Sequence, residues 1–154
     1  MELLTALRQH LLDSPLGLQA DELITYAREG KIINHQGDTN LSFGIEYQAH
    51  VVLINYGQSP DVLFFIVLDW LRQYQANHTA DAIRFDADIL DHQTADLELI
   101  INIEEGVGAE VVAGGVQLTH NGVKAIDPQL LNAEQWSLLI QPDPDAVTTW
   151  LEKG

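Results

Sequence analysis

The sequence contains no cysteine, which excludes disulfides, thiolate metal sites and a cysteine nucleophile. It is also poor in cations: 7 Lys and Arg stand against 23 Asp and Glu, for a formal charge of −16 at pH 7. Those seven, Arg8, Arg28, Lys31, Arg72, Arg84, Lys124 and Lys153, are scattered along the chain rather than clustered. Phosphate backbones and anionic membranes repel such a chain, so neither direct nucleic-acid binding nor a membrane surface role is expected. Long apolar runs are missing as well. The longest, Val62 to Leu68, is far short of the ~20 residues that span a bilayer. The opening Met1-Glu2-Leu3-Leu4-Thr5 lacks the basic start of a signal peptide. These absences predict a soluble protein made in a reducing, cytoplasm-like compartment.

What the chain does have is core material. Its 154 residues are 46% hydrophobic and 19% charged, enough for one packed domain and unlike a disordered acidic tail. Leu3, Leu4, Leu7 and Leu11 follow a helical stripe that Ser14-Pro15 stops. A second helix is expected from Leu18 to Glu29, with Asp21 and Glu22 in its early turns, Arg28 in its last turn and Gly30 as a left-handed cap. Leu41, Phe43, Ile45, Tyr47, Ala49, Val51 and Leu53 then alternate with polar residues, the mark of a long strand with one wet face. Val52 and Ile54 make its second half two-sided, so cover on both faces is expected there. Ser59-Pro60-Asp61 is a helix start, and the helix from Asp61 to Gln75, apolar all round at Val62–Leu68, should be buried on most sides.

Beyond the polar loop Ala76–Asp81, Ile83, Phe85, Ala87 and Ile89 alternate with Arg84, Asp86 and Asp88. The turn at Asp91-His92-Gln93-Thr94 leads to a partner strand through Leu97, Leu99, Ile101 and Ile103. Val107–Ala113 is read as a separate strand bounded by glycines, and Asn121-Gly122 as a turn joining strands at Val116–Thr119 and Val123–Ile126. Trp136–Ile140 has the composition of one more strand. The predicted fold is therefore α+β: N-terminal helices, a mainly antiparallel sheet and one buried helix packed on it, in a single domain over residues 1–140. Gln141-Pro142-Asp143-Pro144-Asp145 then spaces a C-terminal arm, 141–154, whose Trp150 and Leu151 are candidate subunit or partner contacts.

Catalytic constellations are not found. The six histidines form no His-x-x-x-His or His-Glu-x-x-His motif, and no serine sits in a Gly-x-Ser-x-Gly elbow. The glycines at 106, 108, 114 and 115 lack the Lys-Ser/Thr of a phosphate loop and read as turns and strand ends. Asp86, Asp88 and Asp91 could meet a hard cation, but without an EF-hand loop they are better read as a solvated hairpin face. A non-enzymatic role without metal or cofactor is expected. An acidic chain can also mimic DNA and occupy the groove of a DNA-processing protein, which is the alternative from another functional class.

Several elements together resemble the tail completion protein R family of temperate contractile-tailed phages. They are Asp21-x-Leu23, Gly30-x-Ile32, Leu41-Ser42-Phe43, Tyr47, Val51–Tyr56, Asp61-Val62-Leu63, Val67-Leu68, Trp70-Leu71-Arg72, Phe85, Asp88-Ile89, Leu97 and Ile101, over residues 18–126. The family usually has Gln-Pro after the helix, where this chain has Gln75-Ala76. The resemblance implies a virion morphogenesis protein of a phage tail or tail-like bacteriocin, assembled in the host cytoplasm. It implies a sheet flanked by helices, and a homo-oligomeric ring, expected to be a hexamer, at the head-proximal end of the tail. The implied partners are the tail tube, the sheath and a head-completion or connector protein. In a ring that DNA crosses, Asp86 and Asp88 are expected on an acidic lumen face from which phosphates are repelled.

Overall fold

A computed structural model describes residues 1–34 and 41–121. The element order is α1 (Glu2–Asp13), β1 (Leu23–Asn34), β2 (Phe43–Tyr56), α2 (Pro60–Tyr74), β3 (Ile83–Ile89), β4 (Ala95–Val112) and β5 (Gly115–Asn121). One antiparallel sheet runs β1-β2-β4-β3, and β5 pairs with the far half of β4. The α+β class is as expected, with both helices against one face of the sheet.

The inward rows follow from the register. Ala49 lies opposite Ile101, Val51 opposite Leu99, Leu53 opposite Leu97 and Tyr47 opposite Ile103. These rows meet Leu3, Leu7 and Leu11 of α1 and Leu63, Ile66, Val67, Trp70 and Leu71 of α2 in one continuous core. Such burial is the main favourable term in folding, ~25 cal/mol per Å² of apolar surface. Helix α2 starts as its sequence predicts, with Pro60 in the first turn and Ser59 in extended backbone, although the Ser59 side chain makes no cap bond.

Two expectations are corrected. The segment expected to be a helix from Leu18 to Glu29 instead turns and becomes β1. Leu23 and Ala27 face the core opposite Leu53 and Ala49, while Ile24, Tyr26 and Arg28 lie on the other face. The period is two, and Ile24, Thr25 and Tyr26 suit a pleated strand. The Arg8 guanidinium clasps the turn by donating to the Ala20 carbonyl at 2.9 Å and to that of Leu23. The left-handed residue here is Glu29 (φ 50), in a bulge between Arg28 and Lys31, rather than a helix-capping Gly30. Secondly, Val107–Ala113 is no separate strand: β4 runs unbroken through Gly106 and Gly108, because β5 joins it at Gly106 and Val107 while β2 still pairs there, and carries the ladder on past Gly108. The outer residues Val52 and Ile54 are half-buried rather than fully covered. The proposed strands at Val123–Ile126 and Trp136–Ile140, and the arm 141–154, lie outside the described residues.

One acidic residue breaks the inward row of β4. Glu105 follows Leu97, Leu99, Ile101 and Ile103 on that row, and its side chain is 1% exposed. Its carboxylate accepts the backbone N–H groups of Glu2 (3.0 Å) and Leu3 (3.2 Å), the first residues of α1, and the hydroxyl of Tyr47. The Met1 amino group lies 3.5 Å away and His120 Nδ1 3.6 Å. An anion here satisfies two otherwise orphaned donors and faces the positive end of the helix dipole. Burial and the Glu105 hydrogen bond push the Tyr47 phenol well up from its usual value. Glu105→Ala leaves those donors unpaired in the interior, a cost of ~1–3 kcal/mol. The expected result in urea denaturation is a loss of that size, with Glu105→Gln, which keeps an acceptor, losing less. Equal stability of Glu105→Ala and the native chain would disprove the anchoring role.

Candidate functional site

Past Val107 the helix layer ends and β4 continues with β5 as a two-stranded hairpin. Register pairs Ala109 with Leu118 and Val111 with Val116 on the helix-side row. No helix among the described residues covers them: Val111 is 71% exposed, Val116 54% and Leu118 57%. The hairpin closes at Ala113-Gly114, where Gly114 takes φ +91, a backbone that side-chain-bearing residues rarely adopt. From Gly108 to Leu118 its only charged residue is Glu110. A nearly neutral apolar ribbon thus stands out on a molecule of charge −16. Contiguous exposed apolar surface of this kind marks contact with another macromolecule rather than chemistry.

The sheet face away from the helices is different. Asp86 stands opposite Glu98, Asp88 opposite Asp96, and Glu46 opposite Glu104. Directly opposed like charges destabilise a sheet, and several of these carboxylates are offset locally. Asp96 accepts the Asn55 N–H at 2.8 Å, and Glu46 pairs with Lys31 at 2.6 Å. Glu98 Oε1 lies 2.6 Å from His50 Nδ1 and accepts the Tyr26 hydroxyl at 2.9 Å. Those bonds, His50 first, hold the Glu98 carboxyl below the usual carboxylate range. The Tyr26 and His50 rings stack at 4.8 Å, and the Arg28 guanidinium sits 5.2 Å from the Tyr26 ring centre. Arg28 and Arg84, with Lys31, are cations flanking this acidic strip.

The structure therefore brings Asp86 and Asp88 together on an exposed strand face, next to Glu98 and Asp96. Asp91 is not with them. Its carboxylate accepts the N–H groups of Gln93 and Thr94, both at 2.7 Å, closing its own turn, and those bonds hold it below its ordinary range. Among the described residues no group of three or more His, Asp or Glu is arranged to hold a metal. Trp150 and Leu151 lie outside the described residues. Sequence reasoning missed the Tyr26–His50–Glu98 cluster because Tyr26 was read as helical. The two-residue alternation Leu23, Thr25, Ala27 was the signal that could have found it.

Comparison with known proteins bears on the two classes of function left open. The family model for P2 phage tail completion protein R (GpR) matches residues 1–124. The chain belongs to this family. The family is one of structural phage tail proteins, and membership supports a tail completion role for this chain. No curated protein and no solved structure matches it. No helix among the described residues is long and apolar enough to cross a membrane.

Asp88→Asn removes one member of the opposed pair Asp88/Asp96. It is expected to raise stability by ~0.2–1 kcal/mol in low-salt denaturant titrations, and the gain should shrink in ~1 M salt, where the screening length falls to about 3 Å. A stability loss from Asp88→Asn at low salt would show that the pair is not repulsive.

Proposed function

We propose that the protein completes the tail by forming a ring, expected to be a hexamer, that caps the head-proximal end of the tail tube. The mechanism is steric and adhesive. The ring seats on the last tube layer, covers its growing edge, and presents a new surface to the head-completion or connector protein. Sheath contact at the same level is part of the reading, and a tail-like bacteriocin could use the same part. The observation that carries it, beside family membership, is the exposed apolar β4–β5 hairpin, an adhesive element without nearby catalytic machinery. The acidic strip with Asp86 and Asp88 is assigned to the lumen, where a negative wall keeps DNA phosphates from adhering in transit. Trp150 and Leu151, past the proline spacer, are assigned to a neighbouring subunit or a tail partner.

Charge sets the conditions for assembly. Bringing together subunits of −16 costs electrostatic work that is screened over ~8 Å at physiological salt. Sedimentation should show monomer at low salt and rings at high salt, with Leu118→Lys remaining monomeric in both. Stable rings at low salt, or ring formation by Leu118→Lys, would count against the hairpin as the adhesive element.

Electron microscopy of tails tests the role itself. Phage lacking this gene should yield overlong or headless tails. A copy truncated after Ile140 should fold but restore normal virions poorly. Normal virions from the deletion would refute the capping function, and full rescue by the truncated copy would refute the contact assigned to Trp150 and Leu151.

A further inference from the structure

Of the alternating apolar residues of β3, Ile83, Phe85, Ala87 and Ile89, only the first packs against the core. Ile83 is half-buried, whereas Phe85 is 56% and Ile89 77% exposed. Helix α2 reaches the start of this row and no further. There it leaves an apolar groove of about 230 Å³ lined by Phe64, Val67, Leu68, Leu71, Ile83 and Phe85. The Phe64 and Phe85 rings, 4.9 Å apart, form part of its wall. Among the described residues β3 bonds only to β4, and none of them pairs with its outer backbone edge. An apolar row, an apolar groove and an open strand edge coincide, which fits an extended segment with an apolar residue at every second position.

We propose that Trp136–Ile140 of this same chain pairs along the outer edge of β3 and seats Trp136 in the groove between α2 and β3. Trp136, Leu138 and Ile140 fall on one face of an extended strand, matching the exposed row Phe85, Ala87 and Ile89. The strand stops where it should, because Pro142 and Pro144 follow and have no N–H to give to a ladder. The route is short. Strands β3 and β5 flank the same edge of β4, with Asn121 opposite Gly106 and Ile83 opposite Ile101. That separation is roughly 17 Å at ~3.4 Å per residue, and residues 122–135 can span up to ~46 Å. Both strands are antiparallel to β4, so β5 ends heading along β3. The segment enters from the Ile83 end, which places its first residue, Trp136, at the groove. The family match ends at residue 124, so this cover belongs to the part of the chain beyond it.

Hydrogen exchange on the intact protein, read by mass spectrometry, tests the pairing independently of tail capping. Amides of 137–140 should exchange ~100-fold more slowly than in an unstructured peptide, independently of protein concentration. Phe85→Lys should abolish that protection and leave the protection of β2 and β4 intact. Ile89→Lys, at the exposed end of the row and away from the groove, should have the same effect should Phe85→Lys disturb the core. Unprotected amides in the native chain, or protection surviving both lysine variants, would overturn the proposal. So would protection that rises with protein concentration, since the occupant would then be a second copy.

Discussion

A buried carboxylate at the start of a helix governs the layout of this domain. Glu105 sits on the inward row of β4, where every other position from Leu97 to Val107 is apolar. An unpaired anion there would be strongly unfavourable. It is held because two helix amides and the Tyr47 hydroxyl converge on it, with the Met1 amino group and His120 close by. The requirement runs both ways: α1 must begin at Glu105 for its first amides to be satisfied, and Glu105 must lie under α1 to be charged in the interior. The helix layer consequently ends at this level. The inward row of β4 continues beyond it through Ala109 and Val111, and no helix among the described residues covers them. The exposed hairpin is what remains of a core-facing row once the core has stopped.

The same reasoning applies at the other end of the helix side. Helix α2 covers the sheet as far as Ile83 and leaves Phe85 and Ile89 in the open. The helix side thus has a dry centre and two uncovered apolar margins, one on β3 and one on the hairpin. The opposite face is a half-wet strip of opposed carboxylates. In the proposed tail cap this asymmetry would serve different faces to different neighbours.

Much of this was legible in the sequence, for reasons that also explain the failures. Helices α1 and α2, strand β2 and the β3–β4 hairpin carry unambiguous periods, and Pro60 and the Asp91 turn mark their limits. The segment 18–29 misled because acids at its start and Arg28 near its end imitate helix dipole chemistry, while the period-two row Leu23, Thr25, Ala27 was the truer signal. Glu105 is not singled out by motif or spacing, although an acid on an otherwise apolar inward row is a distinctive clue. Exposure of Phe85, Ile89, Val111 and Leu118 could not be read at all. Alternation tells which side of a sheet a residue faces, and only the lengths and placement of the helices tell whether that side is covered.

Net charge and adhesion would conflict if they shared a surface. Contact between two subunits of −16 is favoured only where short-range apolar burial outweighs repulsion, and repulsion is least where charge is sparse. Between Gly108 and Leu118 the hairpin carries a single acid, Glu110, while the opposed acidic pairs stand on the other face of the sheet. In the proposed ring, keeping apolar contact and acidic strip apart would let subunits associate through one region without neutralising the other. The acidic strip then needs no basic partner to be tolerated, because Asn55, Lys31, His50 and Tyr26 already offset part of it within the chain. A negative surface that is internally supported can remain negative after assembly, which is the condition a DNA-conducting wall has to meet.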